Sequence, residues 1–365
     1  MLKITTPMRV EALLLSTLFF ACSGSDGESL GGEAPMSASQ RDQGVITDQG
    51  VRSADQGVVE GPRVIEPPPA EGPLPTPRPT ERTRPTSIDA PFSGGELNEA
   101  ACSARRIAEV RGWILDEVGE PVSGAKAYFC IRFNEGELAC LRSEETDAEG
   151  VFTVTVPLES QCVDRAALRA QVPNGGFASI YCDLSEDLVE LPESDDPVLR
   201  LNEPFILYQT RPFTGLTLEA EGDDTRAEVS FGELSLSLIS EQLFIADPEE
   251  LRARQVPTDA PGLCFLDEPA EIAALYAFSP EVDLFGGRAG LRLPNESGAA
   301  PGESLKLFAL GSLDCSLNAD EKLEEGHWEE IGTARVDESG EWIEAEATSG
   351  LPCLSWFGLS SADTP

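Results

Sequence analysis

The 365-residue sequence predicts an all-β protein: two tandem antiparallel β-sandwich domains after a signal peptide and a long disordered Pro/Gly-rich tether. Three observations carry that expectation. Beyond residue 100, apolar residues alternate with period two in short runs separated by Gly, Pro, Asn and Asp. Helical periodicity is confined to one short segment, 247–254. Eight of the nine cysteines lie in the same region, and an even number there suits an exported chain stapled by disulfides.

The chain opens with Lys3 and Arg9, continues with an apolar stretch over 12–21 broken only by Ser16 and Thr17, and places Ala21 before Cys22. This is the layout of an export signal, and it is too short to span a bilayer. Leu18-Phe19-Phe20-Ala21-Cys22 resembles the signal of bacterial lipoproteins, although Phe19 and Phe20 are bulkier than that family's usual residues. The resemblance implies removal of 1–21 and lipidation of Cys22, so the expected partner is a membrane reached through an N-terminal lipid anchor. Acyl chains hold by about 0.8 kcal/mol per buried methylene. Ser23 stands where an aspartate retains some lipoproteins at the inner membrane, and the expected address is therefore the outer membrane of the cell envelope.

Residues 22–100 are expected to form a disordered tether. They are rich in Ser, Gly, Asp, Gln and Pro, with too little apolar surface to offset the ~1–2 kcal/mol per residue of backbone entropy lost on folding. Asp-Gln-Gly-Val recurs from Asp42, Asp48 and Asp55, but its irregular spacing and polarity argue against a solenoid. From 62 to 91 the tract becomes Pro-rich, with Arg78, Arg82 and Arg84 interspersed, which favours extended polyproline-like geometry.

The first domain is expected over 101–208. A strand at 107–115 alternates through Val110, Gly112 and Ile114; a turn at 119–125 precedes a second strand from Lys126. Asn134-Glu135-Gly136 suits a three-residue hairpin loop. Pairing Phe133 with Glu137 then sets Cys130 opposite Cys140, at a non-hydrogen-bonded position close enough for a disulfide. A turn at 146–150 leads into a strand over 151–156, and an acidic run follows at 185–196. The order Val110-Arg111-Gly112, Gly119-Glu120-Pro121-Val122-Ser123-Gly124-Ala125 and Thr146-Asp147-Ala148-Glu149-Gly150-Val151-Phe152 resembles the carboxypeptidase regulatory-like (transthyretin-like) β-sandwich. That resemblance implies an accessory architecture rather than peptidase activity.

The second domain is expected over 209–365. Strands are predicted at 228–239, 272–278, 290–293, 304–310 and 326–336, with turns at 294–298 and 337–340. Leu275-Tyr276-Ala277-Phe278-Ser279-Pro280, Gly290-Leu291-Arg292-Leu293-Pro294, Leu305-Lys306-Leu307-Phe308 and His327-Trp328-Glu329-Glu330-Ile331-Gly332 resemble the ZU5-type β-sandwich. Some ZU5 relatives cleave themselves at a His-Phe-Ser motif. The corresponding stretch here, 346–352, lacks histidine, so no self-cleavage is expected.

Charge and residue inventory narrow the chemistry. A net charge of −39, from 65 acidic and 26 basic residues, opposes nucleic-acid binding through a basic face. His327 is the only histidine, which excludes a zinc site built on two or three imidazoles. Gly27-Glu28-Ser29-Leu30-Gly31 matches a nucleophile elbow by letter but lacks the strand and helix that the motif needs. Asp223 with Asp224 is one carboxylate pair among many. Asp147 and Glu149 are the best local calcium candidates, with turn formation the simpler role. Asn295-Glu296-Ser297 is a glycosylation sequon by letter. No catalytic residue, metal site or cofactor is therefore assigned. The expected function is non-enzymatic: a lipid-anchored envelope protein whose sandwiches serve adhesion, protein or glycan contact, or scaffolding. The alternative is an accessory subunit of a secreted hydrolase or transport system.

Overall fold

The computed structural model describes residues 61–361, apart from 79–80, 93, 103, 134–136, 174, 185–195, 244–245, 267–270, 313–314 and 319–320. Cys22, the Asp-Gln-Gly-Val repeats, the 27–31 motif, the hairpin loop 134–136 and most of the acidic run lie outside the described residues. The described chain is all-β, and none of its helices is long and apolar enough to cross a membrane.

The N-terminal part faces two sheets against each other. One orders Ile180–Asp183, Ala166–Gln171, Lys126–Phe133 and Glu137–Arg142, all antiparallel. The other is built around Glu109–Asp116, which pairs antiparallel with Val151–Thr155 but parallel with Val198–Arg200 and Phe205–Gln209. These two parallel pairings depart from the antiparallel expectation. Glu109–Asp116 is buried along nearly its whole length, as befits a strand covered on both faces. Gly112 in its middle has a packing reason, because a Cβ there would come within 2.6 Å of both Leu201 and Phe152. The turn before Val151 is shaped by Asp147, whose Oδ1 accepts from the Glu149 and Val151 amides at 3.0 and 2.9 Å. Gly150 there takes φ +76°, and a Cβ would collide with the Ile114 carbonyl oxygen.

Beyond Gln209 the chain enters a single twelve-stranded sheet. From one edge it runs Arg63–Ile65, Gly215–Glu221, Asp224–Phe231, Leu234–Ile239, Gly290–Pro294, Trp342–Ala345, Trp328–Val336, Ser304–Leu310, Cys353–Ser361, Ile272–Asp283, Arg252–Gln255 and Arg211–Pro212. Only Phe213 and Thr214 separate Arg211–Pro212 from Gly215–Glu221, so the sheet curls back on itself around Val229, Leu236, Phe278, Leu291, Leu307 and Phe357. The expected strand 228–239 is two strands. The apolar phase shifts from odd to even positions between Phe231 and Leu234, and these two residues pair across a two-residue turn with Gly232 at φ +68°. The helical expectation for 247–254 is also corrected. Pro248–Glu250 is a single 3-10 turn capped by Asp247, and Arg252–Gln255 is a strand paired with Ile272–Asp283. Ladder bonding to the long strand outweighs local helix propensity there.

The two parts share an apolar core at their junction, beside the one that the curled sheet encloses. Val256, Leu263, Phe265, Leu275 and Trp356 of the second part pack among Ile131, Leu168, Tyr181 and Tyr208 of the first. Trp356 is 1% exposed, and its indole N–H donates to the Ser179 carbonyl at 2.6 Å. The Cys182–Cys264 disulfide crosses the same junction, with Cα atoms 5.4 Å apart. So does Arg254, which bonds Glu117 at 2.6 Å with both side chains buried. Three further disulfides join Cys102–Cys162, Cys130–Cys140 and Cys315–Cys353. Cys130 and Cys140 face each other in the hairpin register that pairs Phe133 with Glu137.

The disordered-tether expectation is corrected over 61–100, which docks as a strap on both parts. Arg63–Ile65 adds a strand to the edge at Gly215–Glu221. Arg254 donates to Pro75 O and the Arg78 amide to Glu117 O. Ile88 is wholly buried, and Arg111 and Arg200 both donate to Ala90 O. The residues that hold the strap are far away in sequence, so its composition could not reveal them. Glu71 accepts from Arg252 and Arg211, and these contacts, Arg252's hydrogen bond foremost, hold its carboxyl below the usual range. A depressed folded pKa gives stability present above the unfolded pKa and lost as pH falls through the folded one. Glu71→Gln is therefore expected to loosen the strap at neutral pH, read as faster proteolysis within 63–78. The difference from wild type should vanish in acid, and a pH-independent difference would refute the assignment.

Candidate functional site

At the junction of the two sheet systems lies a groove of about 890 Å³. Its floor derives from two strands that place charged side chains where their neighbours are apolar. Ala166–Gln171 is buried except at Arg169 and Gln171. Ile272–Asp283 shifts register against Cys353–Ser361 between Ala277 and Val282, and such an irregularity re-aims side chains. Glu281 falls within it.

Arg169 donates to Glu281 Oε2 and to Gln171 Oε1, each at 2.5 Å. Tyr181 donates its hydroxyl to the same Glu281 oxygen at 2.5 Å. The guanidinium lies 5.3 Å from the ring centroids of both Tyr128 and Tyr181, a cation–π arrangement. Burial is the largest single influence and opposes its charge, but the Glu281 carboxylate, together with Tyr181, Glu325 and Tyr128, holds the Arg169 pKa above its ordinary value. Burial, reinforced by the Glu281 charge, pushes the Tyr181 phenol well up, so it serves as a donor. Two polar atoms of this cluster stand out, and the first, Arg169 Nε, is a buried donor without an acceptor. Glu281 is 9% exposed at its side chain, and its Oε1 is buried without a hydrogen-bond partner. An orphaned buried carboxylate oxygen costs on the order of 1–3 kcal/mol or more, which points to a ligand donor. Val172, Phe177 and Pro68 give the groove apolar walls, and Glu249, Glu250 and Asp283 line it as well.

The residues singled out from sequence lie elsewhere. His327 Nε2 is 3.1 Å from Asp183 Oδ2, at a second polar seam where Arg132 and Arg165 bond Glu324. Glu325 sits there 3.4 Å from Cys130 Sγ. Ligand atoms of Cys130, Cys140 and Glu325 lie within 4.8 Å of one another, but the two sulfurs are bonded to each other and do not form a ligand pair. Asp224 opens a strand paired at Glu221, Glu149 is exposed, and Asn295 donates its side-chain amide to Ala299 O and Gly340 O. Arg169, Tyr181 and Glu281 escape sequence reasoning because no local motif joins them. The available signal was the single charge Arg169 inside apolar Ala166–Gln171 and the charges Glu281 and Asp283 closing the otherwise apolar Ile272–Asp283.

No protein-family model, curated protein or solved structure matches this chain. Fold and site nevertheless define a class: an all-β protein with four disulfides and a polar-floored groove between its two sheet systems. Four disulfides suit an oxidising, extracytoplasmic compartment.

Proposed function

We propose that the protein is a non-enzymatic recognition module of the bacterial cell envelope, anchored through a lipidated Cys22 at the outer membrane, that binds its ligand in the junction groove. The single observation that carries the binding role is Glu281 in the groove lining, whose Oε1 is buried without a hydrogen-bond partner. Rigid support argues for recognition, since the groove sits on two sheet systems joined by a shared core and a disulfide. The lipoprotein-like residues before Cys22 support the anchor. The turn motifs quoted above support a carboxypeptidase regulatory-like first module and a ZU5-like second one, both accessory architectures here.

The test uses the full mature chain. Pro68→Trp places a large ring in the groove at an exposed strap position, and it is expected to abolish binding of envelope-derived ligands found by thermal-shift screening. Cys22→Ala should release the protein from the membrane fraction. Ligand binding unaffected by Pro68→Trp would refute the groove, and a membrane fraction unchanged by Cys22→Ala would refute the anchor.

A further inference from the structure

We infer that the groove selects an organic ammonium group carried on an apolar stem, its head bonded to Glu281 Oε1. The inference rests on the groove reading above and names the ligand class. Charge argues first. Four carboxylates, Glu249, Glu250, Glu281 and Asp283, line the groove against Arg169 and Arg252, and Arg252 is matched by Glu71 of the strap. An anion is therefore repelled, and the −39 background adds to the repulsion.

The orphaned atom argues second. Glu281 Oε2 is already occupied by Arg169 and Tyr181, whereas Oε1 is buried and lacks a donor. An ionised carboxylate only accepts, so the missing partner is a donor, and an ammonium is a compact donor with no acceptor of its own. A metal cation is less suited to the site. It would need several oxygens converging on one point, and among the described residues no three carboxylates of the groove close to within 4.8 Å. The walls argue third. Val172, Phe177 and Pro68 offer an alkyl chain a surface beside the head-group site, and long cationic side chains bury their stems in this way. Free alkylamines and lysine side chains of a peptide share this chemistry.

Isothermal titration of the full mature chain with hexylamine, with Nα-acetyl-lysine methylamide and with neutral hexanol tests the assignment. At least one amine is expected to bind and hexanol not to. Preference for hexylamine marks a free amine as the source, and preference for the lysine derivative marks a peptide. Glu281→Gln, which keeps the size of the side chain, should weaken amine binding at least about tenfold. Glu249→Gln, at an exposed position, should weaken it about two- to fivefold and reduce its salt sensitivity. Equal affinity in Glu281→Gln and wild type, or hexanol binding as well as the amines, overturns the inference. A neutral or anionic ligand displaced by Pro68→Trp, with no amine binding, overturns the ligand class and leaves the groove standing. Amine binding indifferent to Pro68→Trp overturns both.

Discussion

Replacing Arg254 with alanine is expected to destabilise the protein by about 3–5 kcal/mol, because it leaves Glu117 as a buried charge with only the long Gln209 amide contacts and no counter-charge. Glu117 is 0% exposed, and Arg254 reaches it at 2.6 Å. The same guanidinium donates to Gln209 O and Pro75 O and lies 5.5 Å from the Tyr208 ring centroid. One side chain of the second sheet thus holds the first part, the linker between them and the strap. Urea unfolding of the single variant measures the loss. The double variant Glu117→Leu/Arg254→Met is expected to recover most of it, since apolar replacement of both partners removes the uncompensated charge. A double variant no better than the single one would mean that the lost backbone contacts, and not the orphaned charge, dominate.

The second large effect is expected at Trp356. Truncation to alanine should cost about 3–5 kcal/mol, since the indole fills the shared core and meets Tyr208 edge-on at 5.6 Å and Phe265 at 5.1 Å. It also leaves the Ser179 carbonyl without its donor. More telling is the form of the transition. A core shared at the junction predicts that both sheet systems unfold together, so circular dichroism and fluorescence should give coincident curves in wild type and variant alike. Two separate transitions, only one of them moved by Trp356→Ala, would show that the modules fold independently.

The cooperativity bears on function. A groove between two modules keeps its shape only if the modules cannot rock, and the Trp356 core, the Arg254–Glu117 pair and the Cys182–Cys264 disulfide all act at that junction. Relative domain motion is the usual expectation for a small interface. Here the interface is an extension of the hydrophobic core, and the groove floor inherits its rigidity.

Much of the fold was legible in local pattern. Period-two alternation and turn residues marked Lys126–Phe133, Val151–Thr155, Ser304–Leu310 and Gly290–Pro294, because a half-buried strand forces every second residue inward. The 229/231 to 234/236 change of phase was visible as well, and it marks a hairpin where a single strand had been expected. What local pattern could not supply was partnership. Residues 61–100 lack the apolar content to fold alone, yet Ile88, Ala90, Pro75 and Glu71 are held by groups supplied by Arg111, Arg200, Arg211, Arg252 and Arg254.

By itself, the sequence determined that this is a β protein with an even set of disulfide cysteines and a strongly acidic surface, since periodicity, cysteine parity and charge are properties of the chain read in order. Only the tertiary structure decided that the strap docks, that the two sheet systems share a core, and that Arg169, Tyr181 and Glu281 converge on one groove. Their convergence depends on two different sheets packing so that residues 100 and 112 positions apart meet, and the energy that holds them there is buried area and charge pairing that no local segment contains.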